Sequence, residues 1–225
     1  MSDEKNRGEN SYDMSAVFSL LRELQQTLYL IARNAELRNP ELLSEIQKEA
    51  EIGLRFVDSF LHTMKLESGQ IALDLSPVGL GSLLHEVAYD VRAASGSEVG
   101  VYSGAKDPVM ANNHLIKNLL FSIGYFMAKS TKSELKFTTF KGPKNKVGIG
   151  VLAKNFEVST VDLRRAISGN YSHMPMARQT QTSPVMLIVA SSIARALGTD
   201  LSVKKLGKSK GFSINLSKSQ QLSFI

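Results

Sequence analysis

Two consecutive segments near the start of the chain carry apolar residues at alternating spacings of four and three. Such spacing places one apolar stripe along each of two α-helices. Asn39-Pro40 separates the segments, because proline cannot continue a helix interior. The sequence therefore predicts a helical hairpin over residues 14–70. The first stripe is formed by Val17, Leu21, Leu24, Leu28, Ile31 and Ala35, and the second by Leu43, Ile46, Ala50, Gly53, Val57, Phe60 and Met64.

A single hairpin cannot cover such a stripe on both sides, whereas two hairpins together form a four-helix bundle. We therefore expect a homodimer with a symmetric helical bundle at its centre. The predicted dimer seam consists of Val17, Leu21, Leu24, Leu28, Ile31, Val57, Phe60 and Met64.

Composition limits the classes of protein that this chain can belong to. It contains no cysteine, so disulfides and cysteine-based metal sites are excluded. No apolar run approaches the roughly 20 residues that span a bilayer. Residues 1–13 are polar and charged, which is typical of a flexible tail rather than a secretion signal. We expect a cytoplasmic protein with no membrane contact and no bound metal.

Charge is distributed unevenly along the sequence. Residues 1–130 contain 12 basic and 17 acidic residues, whereas residues 131–225 contain 15 basic and 4 acidic ones. A basic half favours an anionic partner such as nucleic acid, although a solvated lysine-rich surface explains it equally well. The lysines that cluster at two predicted turns form a hypothetical basic patch: Lys141, Lys144, Lys146, Lys204, Lys205, Lys208 and Lys210.

The rest of the chain alternates between strand and helix patterns. After the hairpin, this order predicts an α+β domain over residues 71–217, with helices packed against a mixed sheet, and a short tail over residues 218–225. Strands are predicted at residues 71–75, 99–102, 135–140, 147–152, 201–203 and 212–216. Helices are predicted at 80–94, 114–129, 161–167 and 184–198.

This order resembles the core of bacterial sensor histidine kinases, in which a dimerisation hairpin precedes a GHKL-type ATP-binding domain built as an α/β sandwich. The resemblance covers residues 16–216. It is strongest at Leu66-Glu67-Ser68-Gly69-Gln70, at Leu75-Ser76-Pro77-Val78-Gly79-Leu80 and at Leu83-Leu84-His85-Glu86-Val87. The segment Lys210-Gly211-Phe212-Ser213-Ile214 also follows the rhythm of the family.

The residues that carry the family's chemistry are replaced. The resemblance places Arg22 where the family has its phosphoacceptor histidine, and a guanidinium offers no nucleophilic lone pair. It places Phe121 and Tyr125 where two asparagines bind magnesium and ATP. Neither aromatic ring can replace an amide ligand.

The adenine-binding and phosphate-binding segments are altered too. Ala153 stands at the position of the adenine-binding aspartate, while Asn155 and Glu157 stand at glycine positions. In the phosphate loop, Pro184 and Met186 stand where glycines expose their N–H groups. The resemblance therefore implies a kinase-like fold with no catalytic residue, no cofactor and no metal.

The function that this resemblance implies is a non-catalytic signalling or regulatory scaffold. It would dock a receiver domain or a partner histidine kinase on the hairpin, at Arg22, Glu23, Gln25, Gln26 and Thr27. Two alternatives stay open. One is a histidine phosphotransferase that uses His62 on the second hairpin helix, and the other is a basic regulator that binds nucleic acid. The remaining histidines, His85, His114 and His173, are interpreted as ordinary structural or loop residues.

Overall fold

The computed structural model describes residues 31, 40–105, 107–168 and 185–219. The helices are α1 (Pro40–Glu67), α2 (Leu80–Ser95), α3 (Asn113–Ser130), α4 (Thr160–Ile167) and α5 (Val185–Ala196). The strands are β1 (Ser76–Val78), β2 (Val99–Ser103), β3 (Val109–Ala111), β4 (Leu135–Lys141), β5 (Lys146–Lys154), β6 (Ser202–Leu206) and β7 (Ser209–Ser217).

The second helix of the predicted hairpin is α1. It begins at Pro40, as the break at Asn39-Pro40 predicts, because proline is favoured in the first turn of a helix. It ends at Glu67, where Gly69 adopts φ +72°. The N–H of Gln70 then donates to the carbonyl of Lys65 at 2.9 Å, which is the Schellman form of helix termination.

Helix α1 is apolar on two faces rather than one. Ile52, Phe56 and Phe60 are at most 8% exposed and belong to the core of the α+β domain, against which α1 packs through α3 and α5. On the opposite face, Leu54 and Leu61 are 63% and 48% exposed. The predicted heptad stripe includes Phe60 but not Ile52 or Phe56 of the buried face, and it includes neither Leu54 nor Leu61 of the exposed face. The dimer seam stays a prediction: Ile31 is helical and half-buried, Val57 and Met64 are half-buried, and Val17, Leu21, Leu24 and Leu28 lie outside the described residues.

The main sheet has five strands in the order β2-β4-β5-β7-β6. Strands β2 and β4 run parallel, and the other neighbours run antiparallel, so the predicted mixed sheet is confirmed. The strands predicted at residues 135–140 and 147–152 are β4 and β5, which a turn through Gly142-Pro143 joins as a hairpin. The N–H of Gly142 donates to the carbonyl of Lys146 at 3.0 Å.

The strand predicted at residues 71–75 is wrong. Those residues have no regular structure, and the strand is Ser76–Val78, which pairs antiparallel with β3. Strand β3, which the sequence analysis missed, has only three residues, and so does β1. Pro77 is tolerated because a two-stranded sheet consists of edges, where a missing N–H breaks no central ladder.

The core lies between one face of the five-stranded sheet and helices α2, α3 and α5. Helix α3 is its centre and is buried on all sides from Asn118 to Ala128. Asn112 caps this helix, and its side chain accepts from the N–H of Leu115 at 3.0 Å. On the sheet side, Phe126 of α3 meets Phe212 of β7 edge to face, with ring centroids 6.2 Å apart.

Candidate functional site

Three aromatic rings join α1 to α3. The centroid of Phe56 lies 6.2 Å from that of Phe121 and 6.4 Å from that of Tyr125. Phe121 and Tyr125, four residues apart on α3, stack with centroids 5.8 Å apart and an interplanar angle of 15°. We call these three residues the aromatic cluster. Such ring pairs add to the stabilisation from burial alone.

Arg55 of α1 packs against Phe121 of the aromatic cluster. Its Nε donates to Oδ1 of Asn118 at 3.2 Å, and its Nη1 donates to Oδ2 of Asp90 on α2 at 3.1 Å. Its guanidinium carbon lies 3.9 Å from the centroid of Phe121. Because the planar guanidinium donates at its rim and stacks with its face, one side chain connects α1 to both α2 and α3.

The structure buries the positions at which the resembled family binds nucleotide. Phe121 and Tyr125 are each 2% exposed, Ala153 is fully buried and Met186 is 9% exposed. Two open hollows on the described surface lie elsewhere: one beside Ser76 and Lys117, the other beside Arg92 and Glu134. Glu157 is exposed. Arg22 and Pro184 lie outside the described residues.

One departure from the family keeps the local backbone shape. Asn155 adopts φ +51°, the left-handed conformation that a glycine usually supplies. Asparagine is one of the few other residues that visit this region readily. The turn after β5 therefore has a conformation that glycine and asparagine both adopt.

Two histidines meet beside the aromatic cluster. The rings of His62 on α1 and His114 on α3 have centroids 5.9 Å apart. The side-chain amide of Asn118 lies 3.4 Å from Nε2 of His114. Partial burial lowers the pKa of His114, and the nearby His62, Arg55 and Lys117 lower it further, against an opposing effect of Asp58. His85 is exposed, and His173 lies outside the described residues.

We expect this histidine to make the fold less stable in mild acid. The folded chain holds the pKa of His114 below 6.5. The unfolded chain therefore binds the proton more readily just below pH 6.5, and the free energy of unfolding falls as the pH drops through that window. Urea denaturation at pH 7.5 and pH 5.5 measures the change.

The H114N variant should lose less stability between these values than the parent chain. The exposed-site variant H85N should behave like the parent, and an H114N chain with the parent's pH dependence would contradict the assignment.

The lysines of the hypothetical basic patch lie at two ends of the sheet. Lys141, Lys144 and Lys146 surround the β4–β5 turn, whereas Lys208 lies in the β6–β7 turn. Register pairs Lys146 with Ser217 at one end of β5 and Lys154 with Ser209 at the other. These ends are about 26 Å apart at 3.3 Å per residue. The seven lysines therefore do not form one compact patch.

Lys210 of the hypothetical basic patch donates to the protein backbone. Its Nζ donates to the carbonyl of Val158 and lies 5.8 Å from the ring centroid of Phe156. Burial lowers its pKa, and the neighbouring Lys205 contributes in the same direction. Lys210 is consequently a packing residue more than a surface cation.

Two kinds of feature are absent from the described part of the chain. There, no group of three or more histidine, aspartate or glutamate side chains is arranged to hold a metal ion. Across the same ranges, none of the helices combines the length and apolar character that crossing a bilayer requires. The predicted docking residues Arg22, Glu23, Gln25, Gln26 and Thr27 lie outside these ranges.

Sequence reasoning missed Arg55 and Phe56, the two α1 residues that contact the aromatic and polar side chains of α3. A signal for them exists. Ile52, Phe56 and Phe60 follow one another at a spacing of four, which places a second apolar stripe on the helix. The heptad spacing on the same helix does not include Ile52 or Phe56, so it predicts no partner for this stripe.

Comparison with solved structures identifies the fold. The histidine kinase AdeS of Acinetobacter baumannii has a TM-score of 0.62 at 13% identity, over 88% of this chain and 98% of its own. Full-length ShkA in complex with AMPPNP has a TM-score of 0.58 at 19% identity, over 92% of this chain and 46% of its own. The catalytic domain of the histidine kinase ThkA has a TM-score of 0.53 at 14% identity, over 65% and 97%. No protein-family model matches the sequence, and no curated protein is similar to it. The chain therefore has the fold of a bacterial histidine kinase core.

Proposed function

We propose that this protein is a kinase-like signalling scaffold that binds partner proteins without nucleotide chemistry. The observation that carries the proposal is the aromatic cluster. At the two positions where the resembled family places magnesium-binding asparagines, Phe121 and Tyr125 pack against Phe56 and are almost fully buried. Hydrophobic side chains that fill each other's space offer neither hard oxygen ligands nor room for a phosphate chain.

The remaining substitutions support the same reading. A nucleotide base needs a hydrogen-bond acceptor for its amino group, and Ala153 has none in its side chain. Met186, which is 9% exposed, lies in the first turn of α5, where the family needs free N–H groups and little bulk. Each change removes a different part of nucleotide recognition, so one reversion would not restore it.

Nucleotide titration tests the proposal directly. We expect isothermal calorimetry with ATP and Mg²⁺ to give no binding stronger than a dissociation constant of about 1 mM, equivalent to about −4.1 kcal/mol. Thermal unfolding with the same nucleotide should show no stabilisation, because a ligand shifts the folding equilibrium only if it binds the native state. A dissociation constant in the micromolar range would refute the non-catalytic assignment.

We also propose that the chain functions as a homodimer and presents its hairpin to a receiver domain or a partner histidine kinase. Leu43, Leu54 and Leu61 form one exposed apolar stripe on α1, opposite the face that packs on the domain. Exposed leucines in line on a helix are a typical surface for another helix. A dimeric bundle would cover this stripe together with the predicted seam.

Charge placed in this stripe should separate the protomers. The L54E/L61E variant is expected to sediment as a monomer at micromolar concentration, where the parent chain sediments as a dimer, because two buried carboxylates per helix are costly. The matched control is Y89E, which alters a side chain on α2 that is 69% exposed and should leave the dimer intact. A monomeric parent chain would remove the dimer from the proposal.

The histidine phosphotransferase alternative depends on His62. Its side chain is only half-buried, which leaves part of the ring accessible, and it lies beside the second imidazole of His114. A phosphate acceptor needs an accessible ring nitrogen in its neutral form. This alternative stays a prediction of lower rank than the scaffold, because it rests on one side chain.

A further inference from the structure

The face of the five-stranded sheet that points away from the helices has an unusual composition. Side chains alternate along a strand, so residues in register share one face. Because Phe137 and Phe212 belong to the helix side, the opposite face carries Tyr102, Lys136, Phe140, Lys146, Lys154 and Lys204. We call these six residues the outer sheet face. It lies on a different side of the domain from the aromatic cluster.

Two rings on the outer sheet face pack against glycine positions. A Cβ atom at Gly148 would overlap the ring of Phe140, and one at Gly100 would lie 2.9 Å from the ring of Tyr102. Real Cβ atoms do not approach a ring so closely, so only glycine lets each ring rest on the sheet. Tyr102 is 49% exposed, and Phe140 is half-buried. Each ring therefore packs at a position that a residue larger than glycine would obstruct.

A lysine covers each ring. Nζ of Lys136 lies 4.7 Å from the centroid of Tyr102, and Nζ of Lys204 lies 4.6 Å from that of Phe140. The five strands together contain seven lysines and no acidic residue. The carboxylate next to this face belongs to Glu134, which precedes β4, lies 3.7 Å from Lys136 and accepts from the hydroxyl of Tyr102 at 3.2 Å. The surface is therefore cationic with aromatic faces beneath the cations.

We propose that the outer sheet face binds single-stranded nucleic acid. Phosphates would attract the ammonium groups of Lys136 and Lys204 away from the rings, and unpaired bases would stack on the exposed ring faces. Bases in a duplex are already stacked on one another and cannot lie on a sheet, which selects for single strands. The inference is independent of the scaffold function, since it uses neither the hairpin nor the buried nucleotide positions.

Charge complementarity favours nucleic acid over a protein strand, an apolar peptide or a bilayer as the partner of this face. A protein strand or an apolar peptide would gain little from four lysines spread across a sheet, whereas a polyanion neutralises all of them. A bilayer surface would also attract the lysines, but it offers no planar groups for Tyr102 and Phe140 to stack against. The combination of cations with flat rings is what nucleic-acid-binding sheets use.

Fluorescence anisotropy with labelled 12-nucleotide oligo(dT) and oligo(U) tests the proposal on the full chain. We expect binding at low salt that weakens as the salt concentration rises. The K136Q/K204Q variant should bind about tenfold more weakly and show a salt slope reduced by about 0.7 per lysine. The Y102A variant should lose about tenfold in affinity with an unchanged salt slope, because it removes stacking and no charge.

Two matched variants make the test specific. K205Q removes the same charge from the neighbouring residue of β6, which faces the other side of the sheet, and it should change the affinity much less than K204Q. E134Q removes the adjacent carboxylate and should tighten binding a few-fold. The proposal fails if the parent chain does not bind at low salt, if K205Q weakens binding as much as K204Q, or if a duplex of the same length binds equally well. Circular dichroism confirms that each variant is folded.

Discussion

We expect the F56A variant to lose about 3–5 kcal/mol of unfolding free energy, the usual cost of truncating a buried phenylalanine to alanine. Phe56 is 7% exposed and contacts both rings of α3. Truncation removes its burial and leaves a cavity between α1 and the domain, where neighbouring rings cannot collapse freely. Urea denaturation followed by circular dichroism at a fixed protein concentration measures the loss.

The control for this experiment is an aromatic residue of similar size on the surface. Tyr89 on α2 is 69% exposed, so Y89A should change the unfolding free energy by less than about 0.5 kcal/mol. If F56A were as mild as Y89A, α1 would not be packed on the domain in solution. Phe56 would then not cover Phe121 and Tyr125 in solution.

Much of the fold follows from spacing and chain breaks. The helix that begins at Pro40, the cap at Asn112 and the β4–β5 hairpin around Gly142 each depend on local chemistry, which a sequence states directly. The strand at Ser76–Val78 does not. It is only three residues long, and its partner β3 lies more than 30 residues further along the chain, so the pairing is decided by tertiary contacts rather than by local preference.

The candidate site was predictable in part. The family resemblance predicts that Phe121 and Tyr125 replace ligands, but it does not predict which residues cover them. That information lies in Phe56 and Arg55, which are distant in sequence and are placed by the docking of α1 on α3. A heptad pattern reports that a helix has an apolar stripe, yet the same helix can serve two partners when a second stripe lies on its other side. Only the packing shows that Ile52, Phe56 and Phe60 face the domain.

The outer sheet face could not be predicted from the sequence for a related reason. In the sequence, Tyr102 and Lys136 are far apart, and Lys204 is farther still from Phe140. Strand register places Tyr102 near Lys136 on the neighbouring strand, whereas Lys204 of β6 reaches Phe140 of β4 across β7 and β5. Gly148, on which the ring of Phe140 packs, lies on β5. Counting aromatics near the lysine clusters therefore underestimates how well cations and rings are combined on this surface. Linear proximity is a poor guide wherever side chains meet across strands.

The G211A variant should lose about 3 kcal/mol or more of unfolding free energy, at the upper end of what overpacking usually costs. Gly211 on β7 pairs with Leu152 on β5. A Cβ atom there would overlap the carbonyl oxygen of Val151 and would lie 2.8 Å from Cε of Met127 and 3.0 Å from Cα of Leu152. Two of these three atoms are backbone, so the added methyl group can be accommodated only by separating two central strands.

The same substitution elsewhere in the chain should have the opposite sign. Gly81 lies in α2, and a Cβ atom there would meet nothing within 4 Å. The G81A variant should therefore gain about 0.5–1 kcal/mol, because alanine loses less backbone entropy in a helix than glycine does. Urea denaturation of both variants distinguishes the effect of crowding around Gly211 from the general effect of replacing glycine by alanine. A mild G211A would mean that β5 and β7 are less closely paired than their register implies.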